Sequence, residues 1–387
     1  MKIKILNIEI FYIKYPIKKK LKYPLAHYVS TGFIFFKVKT NLDVYGFGEP
    51  SPYGSNIEVM IKIFKKYFLP TVKNKEIDLI NIQFLSKFSF FKKNEPVLRA
   101  IFAGIDQAFW DIKAKIKKKP LYRLLNNKVY KNNSIKLYAS GGMIFDNQDY
   151  NILIDEALKQ KDIGFYGYKF RPSISKKNQS HFQRNNNPPN FDIKKFLIFF
   201  KNLRKSLGDE FKLMVDFGCR IKSFKDFNYI SDCVSELNFF FIEEPMKTEL
   251  ELYKKIKKNS KVNIATGETI SSIQQFNKWK LACNIIQPDT NLISISELME
   301  IKKKFKFDSK KTIFHNWANP ISMLSNFHTS KALGGELIEY NITYNPFSTI
   351  IMNNRMQINK GLFKYGSKNG LGIDLNEKII NKYLIQI

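Results

Sequence analysis

The chain has no run of about 18 or more apolar residues, so no membrane span is expected. Cysteine is scarce. Cys219, Cys233 and Cys283 are an odd number without metal-ligand spacing, which argues against a disulfide framework and suits reduced thiols in a cytoplasmic protein. Histidine is scarcer still for a chain of 387 residues: His27, His181, His315 and His328. No glycine-rich phosphate loop follows an early strand. The opening MKIKILNIEIFYIKY alternates like a strand and lacks the apolar block and cleavage site of a secretory signal. Acids number 34 against 64 Lys and Arg, a net charge of +30. The lysines are spread over the whole chain, with no concentrated basic tail, zinc-finger spacing or aromatic RNA-binding motif, so no nucleic-acid partner is expected. A diffuse positive field still attracts anionic metabolites.

Apolar residues make up 44% of the chain, enough to fill a large α/β domain and a smaller one. In residues 1–50, KIKILNIEIFYIKY and GFIFFKVKTNLDVYGFGE alternate as antiparallel strands, with a polar loop over 16–31 between them. Helical periodicity follows over 57–90, then a long helix over 95–125 with Pro120 marking its end. From residue 135 strands and helices alternate. The strand candidates are 135–140, 166–171, 212–217, 239–244, 263–268, 284–289, 312–315 and 336–340, most steps being about 20–30 residues. Eight such units suit a closed parallel barrel, and an open doubly wound sheet is the alternative. One step is long: the polar, proline-bearing insertion 172–192 either covers the catalytic face or is a plain surface loop.

The strand ends carry the chemistry. The second ends in Lys169-Phe-Arg171, and the next six bring Asp216, Glu243-Glu244, Glu268, Asp289, His315 and Glu339. Barrel strand tips converge on one mouth, and scattered surface charge would not track them. Asp216, Glu243 and Glu268 lie on three successive strands, and hard oxygen ligands of this kind suit Mg²⁺; taken singly, each is equally an ion-pair partner for one of the many basic residues. Glu244 faces away from Glu243 and is expected to hold a lysine or a backbone donor. Lys169 and Arg171, two apart, share a face. Asp289 beside His315 would fix the imidazole tautomer and raise its basicity. His328, in an amphipathic helical pattern, reads as structural, and His181 as solvated.

Together these residues resemble the enolase superfamily, in particular its mandelate racemase group, over nearly the whole chain. The likeness runs through 46-GFGEPSP-52, 103-AGIDQAFWDIKAKIKKKPLYRLL-125, Lys-x-Arg, Glu-Glu-Pro, Gly-Glu, Gln-Pro-Asp, the seventh-strand histidine, Glu-Tyr and 370-GLGIDL-375. It implies a (β/α)7β TIM-like barrel over 131–350, an α+β capping domain over 1–130, and a C-terminal segment, 351–387, that returns to the cap. It implies a homo-oligomer, and proton abstraction alpha to a carboxylate through an enolic intermediate held by Mg²⁺. Asp216, Glu243 and Glu268 map onto the metal ligands, His315 with Asp289 onto the His–Asp dyad, and Glu339 onto the acid that hydrogen-bonds the intermediate. The capping stretches 18–31 and 49–54 would set specificity, with His27 and Tyr53 as candidate substrate contacts; Asn316 and Trp317 could line the pocket.

Two departures matter. Where the family often has a second lysine, Arg171 stands, and a guanidinium is almost never neutral near pH 7. Gly218 of 216-DFG-218 replaces an asparagine that could contact substrate. The first departure favours one base, His315, and dehydration of a sugar acid to a 2-keto-3-deoxy acid. The alternatives are a sugar-lactone cycloisomerase, an epimerase using His315 and Lys169, or a basic binding protein without chemistry.

Overall fold

The computed structural model describes residues 2–23, 26–51, 56–81, 83–84, 95–127, 132–143, 151–171, 193–305, 307–343, 345–354 and 356–386. The chain begins with an antiparallel sheet of β1 (Ile5–Tyr23), β2 (Ala26–Thr40) and β3 (Tyr45–Gly48). Alternation in β2 divides its side chains between two cores. Ile34, Phe36 and Val38 pack with Ala100, Ile101 and Ile105 of the helix Glu95–Ile116. Phe33 and Phe35 join the larger core, shared with the barrel strands and helices. The Gly-x-Gly of 46-GFG-48 is required by packing: a Cβ at Gly46 would overlap the Ala108 carbonyl, and one at Gly48 the Gly104 carbonyl.

Two expectations for this region are corrected. Residues 16–23 and 26–31 are strand and not loop: pairing is broken between Pro16 and Leu21 and resumes from Leu21–Tyr28 out to Tyr23–Ala26. Pro16 has no N–H to donate, so the ladder shifts there and resumes. The helix over 95–125 is two helices. The first ends at Ile116, Lys118 takes φ +52°, and a short helix Leu121–Leu125 restarts after Pro120.

The second sheet is a parallel barrel wall. It runs through β4 (Ser134–Met143), β5 (Gly167–Arg171), β6 (Lys212–Asp216), β7 (Phe239–Glu243), β8 (Asn263–Thr266) and β9 (Ile285–Ile286). The strand β10 (Leu337–Asn341) pairs parallel with β4 from the other side. Helices follow the strands, including Phe224–Glu236, Leu250–Asn259, Ile273–Ala282, Ile295–Lys304 and Pro320–Leu333. The sixth strand is shorter than its sequence suggests, because Pro288 cannot donate to a ladder. The seventh, expected at 312–315, is a single bridge from Ile286 to Thr312. A hairpin of β11 (Ile358–Asn359) and β12 (Leu362–Lys364) extends β4 antiparallel, so part of the C-terminal segment belongs to the barrel wall. Its last residues do reach β1, where the Ile385 N–H donates to the Tyr12 carbonyl.

No helix among the described residues is long and apolar enough to cross a membrane. The helix Pro320–Leu333 is buried on nearly every side, not amphipathic; only Lys331 is partly exposed. His328 within it is structural. Its Nδ1 accepts from the Tyr122 N–H at 3.1 Å, and the Leu371 backbone holds the ring from elsewhere. Burial lowers its pKa from 6.5 to about 3. The unfolded chain therefore binds this proton first, and stability must fall with acidity between pH 6.5 and 3, by about 1.4 kcal/mol per pH unit at most. Urea unfolding of wild type against His328→Gln should show a shallower pH slope in the variant across that window. Equal slopes would remove His328 from the acid sensitivity.

Candidate active site

The barrel interior is built in layers two residues apart. Tyr138, Met214, Phe241, Ala265, Ile285 and Ile313, one from each of six barrel segments, form a plug at its centre. Side chains two apart on a strand share a face. Two residues beyond Met214, Phe241, Ile285 and Ile313 stand Asp216, Glu243, Gln287 and His315, and two beyond Leu337 stands Glu339. The apolar plug thus places a ring of ionisable groups directly above itself, at the C-terminal ends of the strands.

These groups are buried and paired. Lys169 Nζ lies 2.7 Å from both oxygens of Glu243 and 2.7 Å from Glu339 Oε1, and is wholly buried. Arg171 Nε is 2.6 Å from Asp216 Oδ2, and its guanidinium lies 3.7 Å from the Trp317 ring centre. His315 Nδ1 is 2.8 Å from Asp289 Oδ2, and its Nε2 is 3.3 Å from Glu268 Oε2. Lys169, Arg171, Asp216, Glu243, Glu268, Asp289, His315, Glu339 and Trp317 are therefore brought together. Asn316 sits in the wall: its N–H donates to Glu339 Oε2 at 2.9 Å and its side-chain amide to the Glu339 carbonyl at 3.1 Å. His27 pairs through its backbone with Lys22 in the β1–β2 hairpin. The His27 side chain, Tyr53, His181 and the insertion 172–192 lie outside the described residues.

Charge decides the protonation states. Burial would lower the Lys169 pKa, but Glu243, Glu339 and Asp216 outweigh it and raise it above that of a free lysine. Arg171 is raised in the same way, chiefly by Asp216 against its burial. Burial would also lower His315, yet Glu268, Glu339 and Asp289 bring it up to about 10. Glu339 is held below the ordinary range despite burial, by Lys169, His315 and Arg171. As a carboxylate it accepts hydrogen bonds in this arrangement and has no proton to donate. Burial pushes Glu243 up against the pull of Lys169, and Asp216, Glu339 and Glu268 push it further.

Among the described residues no three His, Cys, Asp or Glu side chains are disposed to share a metal ion. Each of Asp216, Glu243 and Glu268 is turned onto a cation instead: Arg171, Lys169 and His315 respectively. Buried carboxylates take whatever positive partner is nearest. The donor set nonetheless fits a hard divalent cation. Asp216 and Glu243 are register partners on β6 and β7, Glu268 lies two residues past β8, and all three are oxygen donors.

Several residues of the site lie within the family-like motifs but have a role that the sequence does not reveal. Gln287 donates to Glu243 Oε2 at 2.8 Å; the layer spacing points to it, but an amide carries no charge to draw notice. Glu49, delivered by the close packing of β3, accepts from the Asn319 and Ser322 N–H groups at 3.3 and 3.0 Å, at the N-terminus of the helix Pro320–Leu333. Gln107 spans the Glu49 and Thr290 carbonyls at 3.2 and 2.9 Å. One partner of Glu244 is the Cys219 thiol, 3.6 Å away, a donor the sequence does not suggest.

Two family models match the chain. That for the mandelate racemase / muconate lactonizing enzyme N-terminal domain spans residues 10–126, and that described as enolase C-terminal domain-like spans 153–379. The chain belongs to the enolase superfamily, in its mandelate racemase group. Among curated relatives of this superfamily member, the arabinonate dehydratase of Saccharolobus solfataricus is 27% identical over 353 residues, covering 90% of this chain and 89% of the relative. Among solved structures, the 3,6-anhydro-D-galactonate cycloisomerase of Zobellia galactanivorans aligns over 100% of both chains with a TM-score of 0.78 at 22% identity. A mandelate racemase/muconate lactonizing protein of Paracoccus denitrificans, complexed with magnesium, aligns over 100% of this chain and 98% of its own with a TM-score of 0.80 at 17% identity. These structures share the enolase-superfamily fold: a capping domain over an α/β barrel.

Proposed function

We propose that this chain is a sugar-acid dehydratase that removes the proton alpha to a carboxylate and expels a β-hydroxyl as water. The observation that carries the reading is the charge state opposite the dyad. Lys169 is an ammonium fixed between two carboxylates and Arg171 a guanidinium paired with Asp216, so neither can act as a base. Among the described residues that leaves His315, oriented by Asp289. Against its burial, the His315 imidazole is held protonated here by Glu268, Glu339 and Asp289, and it acts as a base once that pull is relieved. A one-base site suits dehydration: His315 Nε2 takes the α-proton, and the imidazolium then protonates the departing hydroxyl on the same side. The enol left behind becomes a 2-keto-3-deoxy acid. The dehydratase relative supports the same choice.

Lys169 and Arg171 offset the second negative charge that develops on the substrate carboxylate. Mg²⁺ held by Asp216, Glu243 and Glu268 would supply a Lewis acid at that carboxylate and, by drawing on Glu268, ease the pull that keeps His315 protonated. Trp317, its ring centre 3.7 Å from the Arg171 guanidinium, backs a group suited to a carboxylate. Two-base epimerisation is disfavoured because, among the described residues, no neutral lysine stands opposite His315.

The test is a library of acid sugars incubated with the protein and Mg²⁺ in D₂O. Dehydration yields a keto acid trapped as its semicarbazone. Deuterated acid or a ring-opened isomer without keto acid would replace the dehydratase reading with the isomerase one.

A further inference from the structure

We infer that Asn326 is the positioning residue of the dyad, joining directly the sixth and seventh strand tips, which share a single bridge, and reaching the eighth through Asn316. This rests on the reading of His315 and Asp289 as the proton-transfer pair. Among the described residues, the wall between β9 and β10 is held by one bridge, Ile286 to Thr312, and no ladder connects 312–316 to β10. In an ordinary barrel the backbone would set the heights of these tips. Here a buried side chain does so.

Asn326 lies in the helix Pro320–Leu333 and is fully buried. Its Nδ2, with two protons, has three acceptors within hydrogen-bond distance: Asp289 Oδ1 at 3.0 Å, the His315 carbonyl at 3.2 Å and Asn316 Oδ1 at 3.2 Å, so one proton is shared. Its Oδ1 accepts from the Thr290 N–H at 2.9 Å and the Thr290 hydroxyl at 2.8 Å. One amide therefore holds both residues of the sixth tip, Asp289 and Thr290, and both of the seventh, His315 and Asn316. Asn316 continues the chain to Glu339 on the eighth. The contact with Asp289 is directional. By engaging Oδ1, together with the Asn291 N–H at 3.0 Å, it leaves Oδ2 for His315 Nδ1. That choice of oxygen keeps a proton on Nδ1 and turns Nε2 toward the mouth.

The helix is itself pinned. Its first turn is held by Glu49 through the Asn319 N–H, the Asn319 side-chain amide and the Ser322 N–H. Asn326 is thus presented at a fixed height by an anchor from outside the barrel, and an aspartate or leucine of similar size cannot reproduce its donors.

The experiment uses the full chain, selectively labelled with [¹⁵N]histidine; four histidines give a sparse spectrum. His315→Asn assigns the His315 signals. At neutral pH and without substrate, wild type should show a downfield, slowly exchanging Nδ1 proton from His315. Asn326→Leu and Asn326→Asp should lose or broaden it while His328 keeps its own signal. With a turned-over acid sugar, kcat should fall about 10–100-fold in both variants, with KM within about threefold. If Asn326→Leu does not fold, Thr290→Val removes one bond to Asn326 and should weaken the same proton signal. A retained Nδ1 proton, with kcat within threefold of wild type, would reduce Asn326 to an ordinary buried amide. The spectrum is read on the free protein, so it decides this point even if no acid sugar is turned over.

Discussion

Replacing His315 with asparagine will remove turnover, lowering kcat by about 10²–10⁴-fold, the usual contribution of a positioned general acid–base group. Asparagine can still donate to Asp289 Oδ2, so the 2.8 Å contact that orients this tip survives and folding should be spared. Lys169 and Arg171 cannot take over, because both are cations held by carboxylates. Exchange of the substrate α-proton in D₂O should cease along with dehydration, since both need the same base. Asp289→Asn should act in the same direction by removing the anion that favours a proton on Nδ1. Activity of His315→Asn within tenfold of wild type would require another base and would sink the one-base mechanism. Circular dichroism on the same preparations separates that result from misfolding.

The second large effect concerns stability. Lys169→Met will destabilise the fold by about 3–5 kcal/mol in urea unfolding, because it leaves Glu243 and Glu339 buried without their cation. The sign with pH follows from Glu339. Its folded pKa lies below the ordinary glutamate value of 4.5, so its contribution is present above that pH and is lost as pH falls through the folded value. Much of that depression comes from Lys169, so the gap between wild type and variant should narrow in acid. Adding Glu339→Gln to Lys169→Met should recover part of the loss, and the cycle measures their coupling. A loss under 1 kcal/mol in the single variant would mean that Lys169 is not the structural centre of the acid ring.

Much of this site was legible because its chemistry rides on a period of two. The plug residues Met214, Phe241 and Ile313 and the candidate site residues Asp216, Glu243 and His315 are the same strand face read two positions apart, and an apolar run ending in an ion is visible in one dimension. The seventh strand was not legible as it is built. TIFH reads as an ordinary strand, but its tip is secured by amides from Asn316 and Asn326 that lie outside the run. The hairpin over 16–31 was hidden by two prolines and a lysine cluster, which lower local strand propensity; pairing across 21–28 overrides it. Glu49 looked like part of a specificity loop. Only the contact of β3 with the helix Glu95–Ile116, which the glycines at 46 and 48 make possible, carries it to the helix Pro320–Leu333.

The sequence alone pointed to the strand–helix order, to an ionisable residue at the end of every strand after the first and to a guanidinium at Arg171, because each depends on residue type and spacing along one segment. The tertiary structure decided which acid meets which cation, how neighbouring charges shift Lys169, His315 and Glu339 against their burial, and that Asn326 and Asn316 in turn link three tips. Those are properties of distances between segments. Coulomb energy and desolvation depend on such distances, and no pattern within a single strand or helix encodes them.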